Sequence, residues 1–256
     1  MKRQTQIYLT RGREGCALAV ELGAIAIVVD ALRASTTIAA LLAHGVSRIR
    51  VVAGVDDARA LADTMPEALM VGERGGERIP GFHLGNSPLE VIASPRMDGR
   101  TAIFTSSNGA QLLVACDGAA HVLVGTVANA MTIAEWTRAQ AEPRDIPVVL
   151  IAAGQYPDEQ FISPEDEATC SYLAMRIGLP IAEASCLTFA QWEREIILRG
   201  LEDIFRQSRH ARRLMEIGYS EDVLFCARPD TENTLPIVVG SVLLHGRQIG
   251  VDVQQG

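Results

Sequence analysis

Short apolar runs alternate along this chain with longer segments whose apolar residues recur at helical spacing. The runs predict strands at 6–10, 24–29, 49–52, 69–71, 101–104, 121–124, 148–152 and 237–244. The periodic segments between them predict helices at 35–44, 55–65, 88–93, 109–115, 128–140 and 164–177. Gly45 after the first helix and Gly178 after the sixth fit the left-handed residue that closes a helix. Such alternation predicts an α/β fold of three layers, α/β/α, with a largely parallel sheet covered on both faces by helices. After about residue 179 the pattern changes. Helical segments at 189–199, 201–207 and 208–218 make a helical excursion in the C-terminal third before strand character returns at 236–244. With no Pro/Ser-rich linker, low-complexity tract or repeat, residues 1–256 read as one α/β domain. A smaller helical lobe near 180–225 is the alternative layout.

Composition narrows the partners. The chain has 256 residues, enough for a sizeable core, and 48% hydrophobic with 21% charged content leaves no room for long disorder. A net charge of −8 argues against nucleic acid and anionic membrane surfaces, which need a basic face. It leaves space for a small anion held by a few local arginines. Five cysteines (Cys16, Cys116, Cys170, Cys186, Cys226) are scattered without a C-x-x-C pair, the pattern of buried free thiols in a reducing compartment. The polar start, residues 1–6, lacks the apolar core of a signal peptide, and no apolar stretch approaches the ~20 residues of a membrane helix. The expectation is a soluble, cytoplasmic protein without nucleic-acid or membrane partners; homo-oligomerisation is left open.

Four segments carry more chemistry than packing requires. The first follows the apolar run 69–71: Gly72-Glu73-Arg74-Gly75-Gly76-Glu77-Arg78 leads through Gly81-Phe82-His83-Leu84 into Gly85-Asn86-Ser87-Pro88. A glycine-rich, charged loop at the carboxyl end of a strand is where open α/β sheets build ligand sites. Ser87 as N-cap, Pro88 at the first helical position and Glu90 as capping-box partner are structural, which leaves Gly85 and Asn86 for a ligand. The second segment, Asp30-Ala31-Leu32-Arg33-Ala34-Ser35-Thr36-Thr37, joins a strand end to a helix start. Ser35 or Thr36 can cap that helix, while Asp30 can bind a metal and Arg33 an oxyanion. Thr105-Ser106-Ser107-Asn108-Gly109 repeats the arrangement with neutral donors for a phosphate or sulfonate. Finally, Ser163-Pro164-Glu165-Asp166-Glu167 opens a helix. Its acids complement the helix dipole, or Glu165 or Asp166 joins Asp30 and Glu73 around a divalent cation such as Mg²⁺, which prefers hard oxygen ligands.

Ser208-Arg209-His210-Ala211-Arg212-Arg213 is basic in an acidic chain; it is either a solvated helix face or part of an anion site. His210 and His83 stand in the right company to transfer a proton. Cys226 reads as a packed thiol.

Together these segments resemble the 2-phosphosulfolactate phosphatase family of coenzyme M biosynthesis. The matching stretches are residues 29–37, Gly72-Glu73-Arg74-Gly75-Gly76 with residues 81–88, residues 105–109, and Ser208-Arg209-His210 continuing to Asp222 and Cys226, in the family's order over most of the chain. Two places depart from the family pattern: Ala211 stands in place of glycine, and residues 153–161 lack the basic and glycine residues that the family pattern places there. The resemblance implies a Mg²⁺-dependent phosphatase acting on a small polyanion, a lactate skeleton bearing phosphate, sulfonate and carboxylate. Under that reading Asp30 and one acid among Glu73, Glu165 and Asp166 hold the metal. Arg33 and Arg74 clamp phosphoryl oxygens, His210 serves as a catalytic group, and the 105–109 turn holds sulfonate or carboxylate. Ser35, Thr36, Arg78, Asn86, Ser87 and Arg209 complete the substrate contacts.

Other classes fit less well. A haloacid-dehalogenase-type phosphatase needs a second aspartate two residues after the first, and that position is Leu32. No G-x-G-x-x-G follows the first strands, against a nicotinamide enzyme. A non-catalytic binding protein or sensor for an anionic metabolite is the alternative from a different class.

Overall fold

The computed structural model describes residues 5–154 and 162–256. In chain order the first half runs β1 (Ile7–Arg11), α1 (Gly12–Leu22), β2 (Ile25–Val29), α2 (Ala34–Ala43), β3 (Arg48–Val52), α3 (Val55–Asp63), β4 (Leu69–Arg74) and β5 (Glu77–Arg78). It continues with α4 (Pro88–Ala93), β6 (Thr101–Thr105), α5 (Gly109–Ala115), β7 (His121–Val124), α6 (Ala130–Arg144) and β8 (Val148–Ala152). Then come α7 (Pro164–Ile177), α8 (Cys186–Arg199), α9 (Leu201–Gln207), α10 (Arg209–Glu216), α11 (Ser220–Cys226), β9 (Pro236–Leu244) and β10 (Arg247–Gln255). The α/β class, the mostly parallel sheet with helices on both faces, and the helical excursion α8–α11 agree with the sequence reading.

The strands lie in the order β1-β8-β2-β7-β9-β10-β3-β6-β4-β5. Two parallel runs, β1-β8-β2-β7 and β3-β6-β4, are joined through the antiparallel hairpin β9–β10. Three antiparallel junctions separate the runs, so they point in opposite senses. The hairpin turns at His245 and Gly246, both at positive φ (50° and 77°), the geometry that matches strand twist in a two-residue loop.

Strand β2 explains the layering. Every residue of Ile-Ala-Ile-Val-Val is buried, as expected of a strand covered on both faces. Ile25, Ile27 and Val29 pack into a core with Ile133 of α6 and Leu173 of α7. Ala26 and Val28 face the opposite way, into a core shared with Leu41 of α2, Leu113 of α5 and, from the second run, Val51 and Phe104. Helix α5 packs on strands of both runs. The two runs thus enclose one common apolar layer, and the carboxyl ends of β2 and β6 meet around it. Among the described residues no helix is long and apolar enough to cross a membrane.

Candidate active site

Asp30 is the first residue beyond β2 and is buried. Its Oδ2 accepts from the backbone N–H of Gly109, at the start of α5, across 2.8 Å, and its own N–H donates to the Ser35 hydroxyl at 2.9 Å. A β-carbon at position 109 would lie 2.9 Å from that carboxylate oxygen, so glycine permits the close approach. Burial pushes the Asp30 pKa up, the Gly109 N–H opposes it and Glu73 adds to it; the result is about 6.

Arg33 is 2% exposed, which demands that its charge be met inside the protein. Its Nη1 donates to Asp222 Oδ2 and its Nη2 to the Gly76 carbonyl, each at 2.7 Å, and the guanidinium lies 4.0 Å from the centre of the Tyr219 ring. Asp222 uses its other oxygen to accept from the Ser87 hydroxyl at 2.8 Å, while that hydroxyl accepts from the Glu90 N–H as an N-cap. Tyr219 caps α11 and Asp222 lies in its first turn, and apart from the family resemblance through Asp222 neither carries a sequence signal for this role. Acidic residues in the first turn of a helix ordinarily complement its dipole.

The glycine-rich loop is a tight hairpin between β4 and β5. Glu73 Oε2 accepts from the Gly76 N–H at 2.8 Å and from the Ser107 hydroxyl at 3.2 Å, and Oε1 accepts from the Ser107 N–H at 2.7 Å. Gly76 has φ 88°, and a β-carbon there would come within 3.0 Å of Ile217 Cδ1, so both backbone and space favour glycine. Arg74 donates to the Glu73 and Ala53 carbonyls and to Thr105 Oγ1. It therefore braces the loop against β6 and does not line the cavity. Arg78 lies on the outside, near the Glu90 carboxylate (3.4 Å) and the His83 carbonyl (3.3 Å).

The three acids that open α7 divide the work. Glu167 pairs with Arg11 at 2.7 Å. Asp166 accepts from the N–H groups of Ala31 (2.8 Å) and Gly154 (3.0 Å), stitching the loop after β2 to the end of β8. Glu165 is 1% exposed, and the Ser163 and Ser208 hydroxyls stand by its carboxylate. His210 Nδ1 lies 3.7 Å from Glu165 Oε1. Burial pushes the pKa of Glu165 and of Asp166 up; His210 opposes the first shift, and Glu165 and Asp30 reinforce the second. Burial lowers the His210 pKa, with Glu165 and Glu73 pulling it back. Ser163 holds the N-cap position of α7, but its hydroxyl makes no cap bond.

These segments open onto one cavity of about 660 Å³. Asp30, Arg33, Glu73, Asn86, Ser107, Asn108, Arg209 and His210 all line it, although up to 180 positions separate them in the chain. The other sequence candidates, Glu165 and Asp166 among them, do not line it. Besides the Asp30 contact of Ser35 already given, Thr36 Oγ1 pairs with Thr126 Oγ1, and the Ser106 hydroxyl accepts from the Ala110 N–H. With Thr105 engaged by Arg74 and Gly109 by Asp30, the 105–109 turn offers the cavity only Ser107 and Asn108. Arg212 and Arg213, read in the sequence only as part of a charge run, also reach the cavity. Ala211, the departure from the family pattern, is buried in the apolar core. Of the other departure, residues 155–161 lie outside the described residues, and Gly154 lines the cavity.

A hard divalent cation fits the donor set. Glu165 buries a carboxylate beside His210, and the charge of Glu73 raises the pKa of Asp30 while that of Asp30 raises the pKa of Asp166. Among the described residues no three carboxylate, imidazole or thiol groups converge into an all-protein cage. A partial shell completed by water is what Mg²⁺ commonly keeps.

Comparison with known proteins gives the same picture over most of the chain. The family model described as 2-phosphosulpholactate phosphatase matches residues 14–241. A Carboxydothermus hydrogenoformans protein named probable 2-phosphosulfolactate phosphatase is 34% identical over 228 residues, covering 87% of this chain and 88% of that protein. Proteins of the same name from Symbiobacterium thermophilum (31% identical; 87% of this chain, 94% of that one) and Gloeobacter violaceus (32%; 82% and 86%) are also similar.

Proposed function

The chain belongs to the 2-phosphosulpholactate phosphatase family, and on that ground we propose that it hydrolyses the phosphate monoester of 2-phosphosulfolactate, or a closely related small phosphorylated acid, with Mg²⁺ as cofactor. The products are sulfolactate and inorganic phosphate. The observation that carries this reading is the shared cavity: strand-end acid, buried guanidinium, amide-bearing turn and imidazole face one space of ligand size.

Phosphoryl transfer depends on positioning and charge neutralisation more than on covalent chemistry. Asp30, with one acid among Glu73, Glu165 and Asp166, would hold Mg²⁺, which when bound would supply positive charge to phosphoryl oxygens. Arg33 presents a guanidinium whose orientation is set by Asp222, Gly76 and Tyr219. Ser107 and Asn108 add neutral donors from the β6–α5 turn. Arg74 acts as a positioning residue that holds the Glu73 loop in register with Thr105. His210, at the cavity wall beside Glu165, is the group able to give a proton to the leaving alkoxide oxygen.

Phosphate release from 2-phosphosulfolactate, with and without Mg²⁺, tests the reading. Wild type should turn over only with metal, and Asp30→Asn and Arg33→Ala should each lose at least about a hundredfold in kcat/KM. Turnover within threefold of wild type in both variants would falsify the assignment. Ligand binding without phosphate release would point to a sensor.

A further inference from the structure

Helix α10 places Arg209, Arg212, Arg213 and Glu216 at the i, i+3, i+4, i+7 spacing of a single face, and all four line the cavity. The opposite face is anchored: Ala211 and Leu214 are fully buried in the apolar core. The Ser208 hydroxyl accepts from the Ala211 N–H and sets where the helix begins. Packing therefore brings this exposed basic face to the rim of the cavity. Arg213 Nη1 stands 3.8 Å from Glu216 Oε2, with both side chains more than half exposed, so this pair neutralises little.

The cavity wall formed by the β2 and β4 loops has the opposite character. Asp30 and Glu73 supply negative charge there, and the guanidinium of Arg33 on that side is already matched by Asp222. A divalent cation held by Asp30 and Glu73 would draw the phosphoryl group to this acidic wall. The arginines of α10 then face whatever the rest of the substrate presents.

We infer that Arg212 and Arg213 form a second anion subsite, taking the sulfonate or carboxylate of the substrate, and that this subsite selects the substrate class: small phosphomonoesters with a further fixed negative charge. The inference rests on the phosphatase reading above and adds to it the residues that discriminate among phosphomonoesters. Guanidinium groups suit the task because both sulfonate and carboxylate accept their paired donors. A phosphomonoester of the same size with no charge beyond its phosphate leaves these arginines hydrated and gains nothing from them.

Steady-state kinetics of wild type and R212Q/R213Q with three esters test it: 2-phosphosulfolactate, 2-phospholactate (carboxylate without sulfonate) and isopropyl phosphate (neither). The kcat/KM ratio of 2-phosphosulfolactate over isopropyl phosphate should fall at least about tenfold in the variant, through KM, and R212K/R213K should recover part of it. A parallel fall for 2-phospholactate assigns the subsite to the carboxylate; an unchanged 2-phospholactate ratio assigns it to the sulfonate. A sulfolactate–isopropyl ratio within twofold of wild type overturns the inference. If wild type releases phosphate from none of the esters, the phosphatase reading fails and calorimetric binding of 3-sulfolactate decides the subsite alone. Binding at least tenfold weaker in R212Q/R213Q then supports it, and equal binding overturns it.

Discussion

Asp222 accepts from Arg33 Nη1 across 2.7 Å, over a separation of 189 positions, and both side chains are only 2% exposed. The pair joins the loop after β2 to the C-terminal helices, and through Ser87 it also reaches the start of α4. The cost of holding a buried guanidinium is met at one point by three segments, so its orientation depends on all of them. Removing either partner leaves an uncompensated charge in a low-dielectric interior.

Asp222→Ala should accordingly destabilise the protein by about 3–5 kcal/mol, measured by urea unfolding. The double variant R33M/D222L should recover most of that stability, because two apolar side chains of similar size can replace a buried ion pair. It should remain inactive in phosphate release. Full activity in the double variant would remove Arg33 from the site.

Asp30 has an ordinary pKa of 3.8 and a folded value of about 6. The native protein therefore keeps a proton that the unfolded chain has already released. That contribution to stability is complete below the ordinary value and is lost as pH rises through the folded one. A shift of this size corresponds to on the order of 3 kcal/mol. In metal-free protein, Asp30→Asn should gain stability relative to wild type between about pH 4 and pH 7, read by denaturant titration. Mg²⁺ added at neutral pH should stabilise wild type and leave the variant unmoved. A stability difference independent of pH would show that Asp30 titrates normally.

Gly109→Ala puts a β-carbon 2.9 Å from Asp30 Oδ2 and 3.0 Å from Asp30 Cβ. The carboxylate or the α5 start must shift, and the N–H bond to Asp30 must lengthen. Turnover should fall at least about tenfold, because misplacing a reacting group by about 1 Å carries a cost of that order or more. The unfolding midpoint should change little, since alanine suits a helix start. Wild-type kcat/KM in this variant would show that the approach of α5 to Asp30 has no functional weight.

Arg33→Ala and Arg74→Ala should separate. Arg33 faces the cavity, whereas Arg74 is spent on two carbonyls and Thr105 Oγ1. Arg74→Ala should act through the loop it braces, costing about 1–3 kcal/mol of stability and less than tenfold in kcat. Arg33→Ala should cost far more in kcat. Equal losses of kcat in the two variants would return Arg74 to direct contact with substrate.

Most of the strand–helix alternation was legible because buried parallel strands must be apolar on both faces, as β2 is, and helices must carry a stripe. Helix α1 escaped because its buried face is Gly12, Gly15, Cys16 and Ala19, small residues that give no strong apolar period. Strand β10 escaped as well, although Ile249, Val251 and Val253 alternate with polar neighbours after a His245–Gly246 turn. Missing that hairpin also hid the reversal between the two parallel runs.

The candidate site divides in the same way. Its local parts, an acid at a strand end, glycines where a backbone turns back, hydroxyls at a helix start, are written in adjacent residues because each answers a short-range requirement. Which of them face the cavity depends on contacts across the whole chain. Only the folded packing brought the α10 arginines to the cavity rim, spent Arg74 on backbone carbonyls and set Asp222 against Arg33, since the charges and volumes that decide those positions come from segments far apart in the chain.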